Sequence, residues 1–98
     1  MDPDAEVDLE DIRNRIDRVD RRLVSLLAER SQLVDQVMVY KRRHHMGVVD
    51  RAREDRMLAQ IAEWAKEEGL DPRVAQQVLR TVIDGFTLLE VEELGPEA

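Results

Sequence analysis

From about Asp8 to about His45 the chain carries neither Gly nor Pro, and apolar residues return every three or four positions. They are Leu9, Ile12, Ile16, Val19, Leu23, Leu26, Leu27, Leu33, Val34, Val37 and Met38. This spacing predicts one long helix with an apolar stripe, because a half-buried strand would alternate every second residue. Gly47 reads as its C-terminal stop. Val48-Val49 then bridge to Asp50, a good N-cap for a second helix running to about Glu68, with Met57, Leu58, Ile61, Ala62 and Ala65 inward. Gly69 ends that helix, and Leu70-Asp71-Pro72 opens a third with an N-cap Asp and Pro at the first helical position. The third runs to about Glu93, with Val74, Val78, Leu79, Val82, Ile83, Phe86 and Leu89 on its inner face. The expected fold is all-α, three helices in a single domain over 1–98, with 1–7 and 94–98 as frayed tails.

The first helix is too long for its companions. At about 38 residues it spans roughly 57 Å, whereas a compact domain of about 100 residues has a radius of gyration near 13 Å. Two shorter helices cannot cover a stripe of that length, so a second copy of the chain is expected to do so, in a homodimer joined through the first helix. The competing arrangement is a monomer in which the helix breaks near its middle and folds back as a four-helix bundle.

Composition narrows the chemistry. The 98 residues include one Tyr, one Trp and one Phe, so the core has to be aliphatic. A net charge of -7 argues against a nucleic-acid partner. With no cysteine there is neither a disulfide nor a thiolate nucleophile. No apolar run approaches the roughly 20 residues of a membrane span. The acidic stretch 1–6 is unlike a signal peptide, so a cytoplasmic protein is expected. His44 and His45 are neighbours, which point about 100° apart on a helix and make a poor metal pair, so no metal is expected. No Gly-rich phosphate loop or Ser-His-Asp arrangement is present.

The informative residues are charges inside apolar stripes. Counting 100° per residue from Ile12, Arg30 falls at about zero and Lys41 at about 20°, in the middle of the face that should be buried. Arg13 sits at the stripe edge, about 100° round. Backwards from Leu58, Ile61 and Ala65 the second stripe runs through Glu54, with Asp50 about 40° away. In the third helix Glu90 lies beside Leu79, Ile83 and Phe86. A buried cation is costly unless paired. An internal salt-bridge network, such as Arg30 with Glu54 or Lys41 with Glu90, would account for any one of these residues. Several together, interrupting the stripes of three helices, suit an enclosed polar pocket with excess positive charge for a small anion. Lys41→Ala would then cost little stability, since it removes a buried charge instead of a packed apolar group.

The segments Ile12-Arg13-Asn-Arg-Ile16-Asp-Arg-Val-Asp20, Leu26-Leu27-Ala28-Glu29-Arg30, Lys41 and Val48-Val49-Asp50-Arg51-Ala52-Arg53-Glu54, in that order, resemble the all-helical (AroQ-type) chorismate mutases. The likeness runs from about Asp8 to about Leu89. It implies an intertwined dimer of three-helix chains, in which the long first helix is shared between two identical sites. It also implies roles. Arg13 from the partner chain and Arg30 would bind the two carboxylates of a dianionic substrate, chorismate. Lys41 would contact a carboxylate and the ether oxygen. Glu54 would hold the ring hydroxyl by its side chain and Asp50 partly through backbone, with Arg53 lining the same side. The implied reaction is the [3,3] rearrangement of chorismate to prephenate, which needs no cofactor, metal or proton transfer. It works by holding the reactive diaxial conformer and stabilising charge on the breaking ether oxygen.

Two departures from the family pattern stand in the third helix. Glu90 occupies the position where Gln or Glu donates a hydrogen bond to the ether oxygen, and only a protonated Glu can donate. Phe86 stands one turn earlier, where Ser often contacts a carboxylate, and supplies no such bond. Relatives of this fold also act as 4-amino-4-deoxychorismate mutases or isochorismate pyruvate lyases, and Glu54 could accept an amine as well as a hydroxyl. The Asp50-to-Glu54 segment favours a mutase over a lyase. A reading of another class is a non-catalytic helical dimer or regulatory module, which would gain stability by replacing Arg30, Lys41 and Glu54 with Leu or Met.

Overall fold

The computed structural model describes residues 8–94, which form three helices and no strand. These are α1 (Leu9–Arg43), α2 (Arg51–Glu67) and α3 (Pro72–Leu94). The frayed tails expected from sequence lie outside the described residues, except that Leu94 closes α3. The helix starts are local chemistry. Asp8 Oδ1 accepts the N–H groups of Glu10 and Asp11 at 3.0 and 3.4 Å. Asp50 caps α2 by accepting the N–H of Arg53 at 3.0 Å. Asp71 caps α3 by accepting the N–H of Arg73 at 2.9 Å, with Pro72 at the first helical position. The Arg73 side chain, and then its N–H, hold the exposed Asp71 carboxyl below its usual range. A depressed acid contributes stability that is lost as pH falls through its lowered value.

The helix ends correct one expectation. Gly47 does not stop α1. The residue in the left-handed region is His45, at φ 52°. Its N–H donates to Arg42 O at 3.4 Å, and the Met46 N–H donates to Lys41 O at 2.9 Å. That is the paired-bond C-terminal motif in which the residue two past the helix reaches back a full turn. The same pair closes α2, where Gly69 at φ 71° donates to Lys66 O and Leu70 donates to Ala65 O at 2.8 Å. Glycine adopts this backbone freely, whereas a side chain there costs about 1–2 kcal/mol. His45 is exposed and makes its turn without that freedom. His45→Gly should therefore stabilise the protein by about 0.5–1 kcal/mol. Urea unfolding should show a higher midpoint at unchanged slope, and a lower midpoint would refute the strain argument.

The described residues fall into two units, one up to Leu33 and one from Val34 onward. The first is helix alone. No residue in it is buried, and Leu9, Ile16, Val19, Leu23, Leu26, Leu27 and Leu33 all stand exposed. Helix α1 is nonetheless one uninterrupted element, not the two that a folded-back monomer would need.

In the second unit α2 and α3 pack antiparallel, with Arg80 opposite Glu54 and the Gln76 side chain donating to Leu58 O at 3.1 Å. Ile61, Ala65 and Ala75 form the core, with Met57, Leu58 and Leu79 against it. Ala75 is a correction to the expected inner face of α3, since Val74, Val78 and Leu89 are exposed instead. Two alanines at the crossing let the helix backbones approach closely, and that rotates the larger valines outward. Val74, Val78 and Val82 line an open groove of about 350 Å³ with Gln77 and Thr81. No helix among the described residues is long and apolar enough to cross a membrane.

Candidate active site

The second unit holds three of the charges that interrupt the stripes, Lys41, Glu54 and Glu90. Lys41 lies in the last turn of α1, its side chain only 14% exposed. Its Nζ donates to Val48 O at 2.7 Å and to Glu90 Oε2 at 3.1 Å. Since the Met46 N–H takes the Lys41 carbonyl, this one residue grips the α1–α2 connection with backbone and side chain alike. Val48 completes the anchor by burying its own side chain. Glu90 sits two turns after Ile83, the most buried residue of α3, with its side chain 10% exposed.

Stripe periodicity put Lys41 and Glu90 inside, and the structure joins them. It also reverses one expectation drawn from them. Removing Lys41 would leave a buried carboxylate and a carbonyl without their donor, so Lys41→Ala is not cheap. Breaking a largely buried pair of this kind costs about 2–3 kcal/mol.

Helix α2 opens at Asp50, whose side chain is engaged as the cap and whose carbonyl accepts the Glu54 N–H at 3.0 Å. Glu54 is therefore one turn in, near the positive end of the helix dipole, where a carboxylate is favoured. Its side chain is 10% exposed and each oxygen has its own cation. Arg51 Nη1 donates to Oε2 at 3.4 Å, and Arg80 Nη1 stands 3.5 Å from Oε1. Arg80 also pairs with Asp84 at 3.6 Å. Val49, Arg51, Glu54 and Asp84 line an open groove of about 270 Å³ with Thr87, Leu88 and Val91.

The remaining expected residues are placed as follows. Arg53 is exposed and is tied to Asp50 only through its backbone N–H. Phe86 is half-buried on α3. Arg13 and Arg30 belong to the first unit, Arg13 exposed and Arg30 half-buried. No role for Arg51, Arg80 or the Val48 carbonyl was expected from sequence. Arg80 had a signal, because it lies about 60° from Ile83 on the wheel, close enough to the stripe to face α2.

These ion pairs set Lys41, Arg51 and Arg80 against Glu54, Glu90 and Asp84, so within them charge balances.

The family described as Chorismate mutase type II matches residues 12–91. The T-protein of Enterobacter agglomerans is 38% identical over 72 residues, 74% of this chain and 19% of that protein. The T-protein of Haemophilus influenzae is 36% identical over 72 residues, with the same coverage. A protein named chorismate mutase from Methanocaldococcus jannaschii is 27% identical over 86 residues, 88% of this chain and 87% of its own length. The chain thus spans about a fifth of the T-proteins it matches.

Proposed function

Because this chain belongs to the type II chorismate mutase family, we propose that it rearranges chorismate to prephenate in the cytoplasm, as a step of aromatic amino acid biosynthesis. The ether C–O bond breaks as a C–C bond forms within one molecule, so no atom, proton or electron is exchanged. The protein's task is to hold the compact conformer and to stabilise charge on the departing oxygen. The observation that carries the reading is Lys41, a cation enclosed at the end of an apolar stripe and held between Glu90 and the Val48 carbonyl.

In this reading Lys41 faces a carboxylate and the ether oxygen, Arg30 binds a carboxylate, and Glu54 accepts from the ring hydroxyl. Asp50 fixes the start of α2, and Arg53 and Phe86 line the pocket wall. A dianion needs more positive charge than the balanced ion pairs of the second unit supply. Arg30 and a partner chain's copy of Arg13 would provide it, in a single-domain homodimer joined through α1. The uncovered stripe from Ile16 to Leu33 supports that pairing.

The test is loss of chorismate absorbance with purified protein, with product identified in parallel from chorismate, isochorismate and aminodeoxychorismate. Turnover of chorismate to prephenate is expected, and turnover of another substrate alone would overturn the assignment. Glu90 adds a second test. A carboxylate paired with Lys41 has no proton to donate to the ether oxygen, whereas Gln is a permanent donor of similar shape. Glu90→Gln should therefore hold or raise kcat/KM, and a large loss would remove this donor role.

A further inference from the structure

Arg80 is the feature of the second unit that the reaction does not yet use. Its side chain is 36% exposed, and it crosses from α3 to a carboxylate on α2 that is 10% exposed. A carboxylate so far from water requires a cation beside it. Arg51 is a poor candidate for that duty. It is 77% exposed and only three residues from Glu54 on the same helix, where solvent screens the pair. Arg80 is anchored at both sides, by Glu54 at 3.5 Å and by Asp84 one turn further along α3 at 3.6 Å. Lys41, the cation arriving from α1, is engaged with Glu90 and the Val48 carbonyl.

We propose that Arg80 is a positioning residue for substrate recognition, fixing the Glu54 carboxylate so that it accepts the ring hydroxyl. This rests on the mutase reading and on the role of Glu54 in it. An ionised carboxylate offers about four lone-pair directions. Arg51 and Arg80 each occupy one oxygen, which leaves acceptor capacity for a hydroxyl and restricts where it points. The register of α2 against α3 thereby helps to decide which substrates are held, through a residue that need not touch them.

The experiment is a double-mutant cycle on the full chain with chorismate as substrate. A hydroxyl contact present in ground and transition states alike appears in KM, so Arg80→Gln should raise KM about tenfold with kcat within about threefold of wild type. Arg80→Lys should bring KM back to within about threefold of wild type. In a Glu54→Gln background neither change should move KM by as much as about twofold, because the group being positioned is gone. A merely structural role lowers the active fraction and so lowers apparent kcat at constant KM. That result, an unchanged KM, or a KM rise that persists with Glu54→Gln would overturn the proposal. If Arg80→Gln does not fold, Arg80→Lys, which keeps a cation beside Glu54, carries the cycle alone. Its small rise in KM must then vanish in the Glu54→Gln background. Wild-type turnover separates the two readings. Without it the mutase assignment fails and takes this inference along, and with it a negative cycle removes Arg80 alone.

Discussion

Replacing Lys41 by Ala should lower kcat/KM on the order of 10³-fold, the scale of losing a preorganised donor at a developing oxyanion. Three things enlarge the effect here. The ammonium is enclosed, so its field is weakly screened. It is aimed by two fixed partners, Val48 O at 2.7 Å and Glu90 Oε2 at 3.1 Å, so little reorganisation is required on binding. And its removal leaves Glu90 as an uncompensated anion where negative charge develops. The stability cost of about 2–3 kcal/mol has to be separated from this loss. Activity is therefore compared at a temperature where circular dichroism shows both proteins folded.

Arg13→Ala should be nearly inactive as well. If Arg13 serves the partner's site, refolding the two inactive variants together in equal amounts restores activity. Half of the dimers are then mixed, each with one intact site of two, so about a quarter of wild-type activity should return. Recovery of nothing would show that Arg13 and Lys41 serve one site from one chain, and a fully active Lys41→Ala would remove the electrostatic mechanism.

The second large effect is expected at Leu23, in the centre of the α1 stripe. Leu23 stands exposed among Ile16, Val19 and Leu27, in a unit with no buried residue among those described. A helix with no core of its own is held by what covers it, since isolated helices are marginal in water. Covering one Leu contributes about 1.5–3 kcal/mol, and a C2 interface uses each position twice. Leu23→Asp removes that and places a carboxylate against apolar neighbours, so dimer dissociation should increase by at least about 10³-fold. Light scattering at micromolar concentration should give twice the 11.4 kDa chain mass for wild type and a single chain for Leu23→Asp. The variant should also lose helicity and activity. Arg21→Glu, exposed on the opposite side of α1 by helical periodicity, should leave all three unchanged. A stable, folded wild-type monomer would end both the dimer and the shared site.

Residues that act through near neighbours were legible without a structure. Asp8, Asp50 and Asp71 bond to N–H groups two or three residues on, and Gly69 closes α2 within its own turn, so the helix bounds follow from short strings of sequence. The stripe positions of Lys41, Glu54 and Glu90 were equally visible, because helical periodicity alone places them inward. One local stop was misplaced: Gly47 looked like the end of α1, yet the chain turns at His45, where Met46 reaches back to Lys41 O. Tertiary structure decided what local strings leave degenerate. Val74 and Val78 looked like core, but the close crossing of α2 and α3 turned Ala75 inward instead. Arg80 drew no reading from sequence, and the register of those two helices set it beside Glu54. Local bonds span a turn of helix and are written in adjacent residues. A partner across a helix interface is set by crossing distance and register, which depend on side-chain volumes along both helices at once.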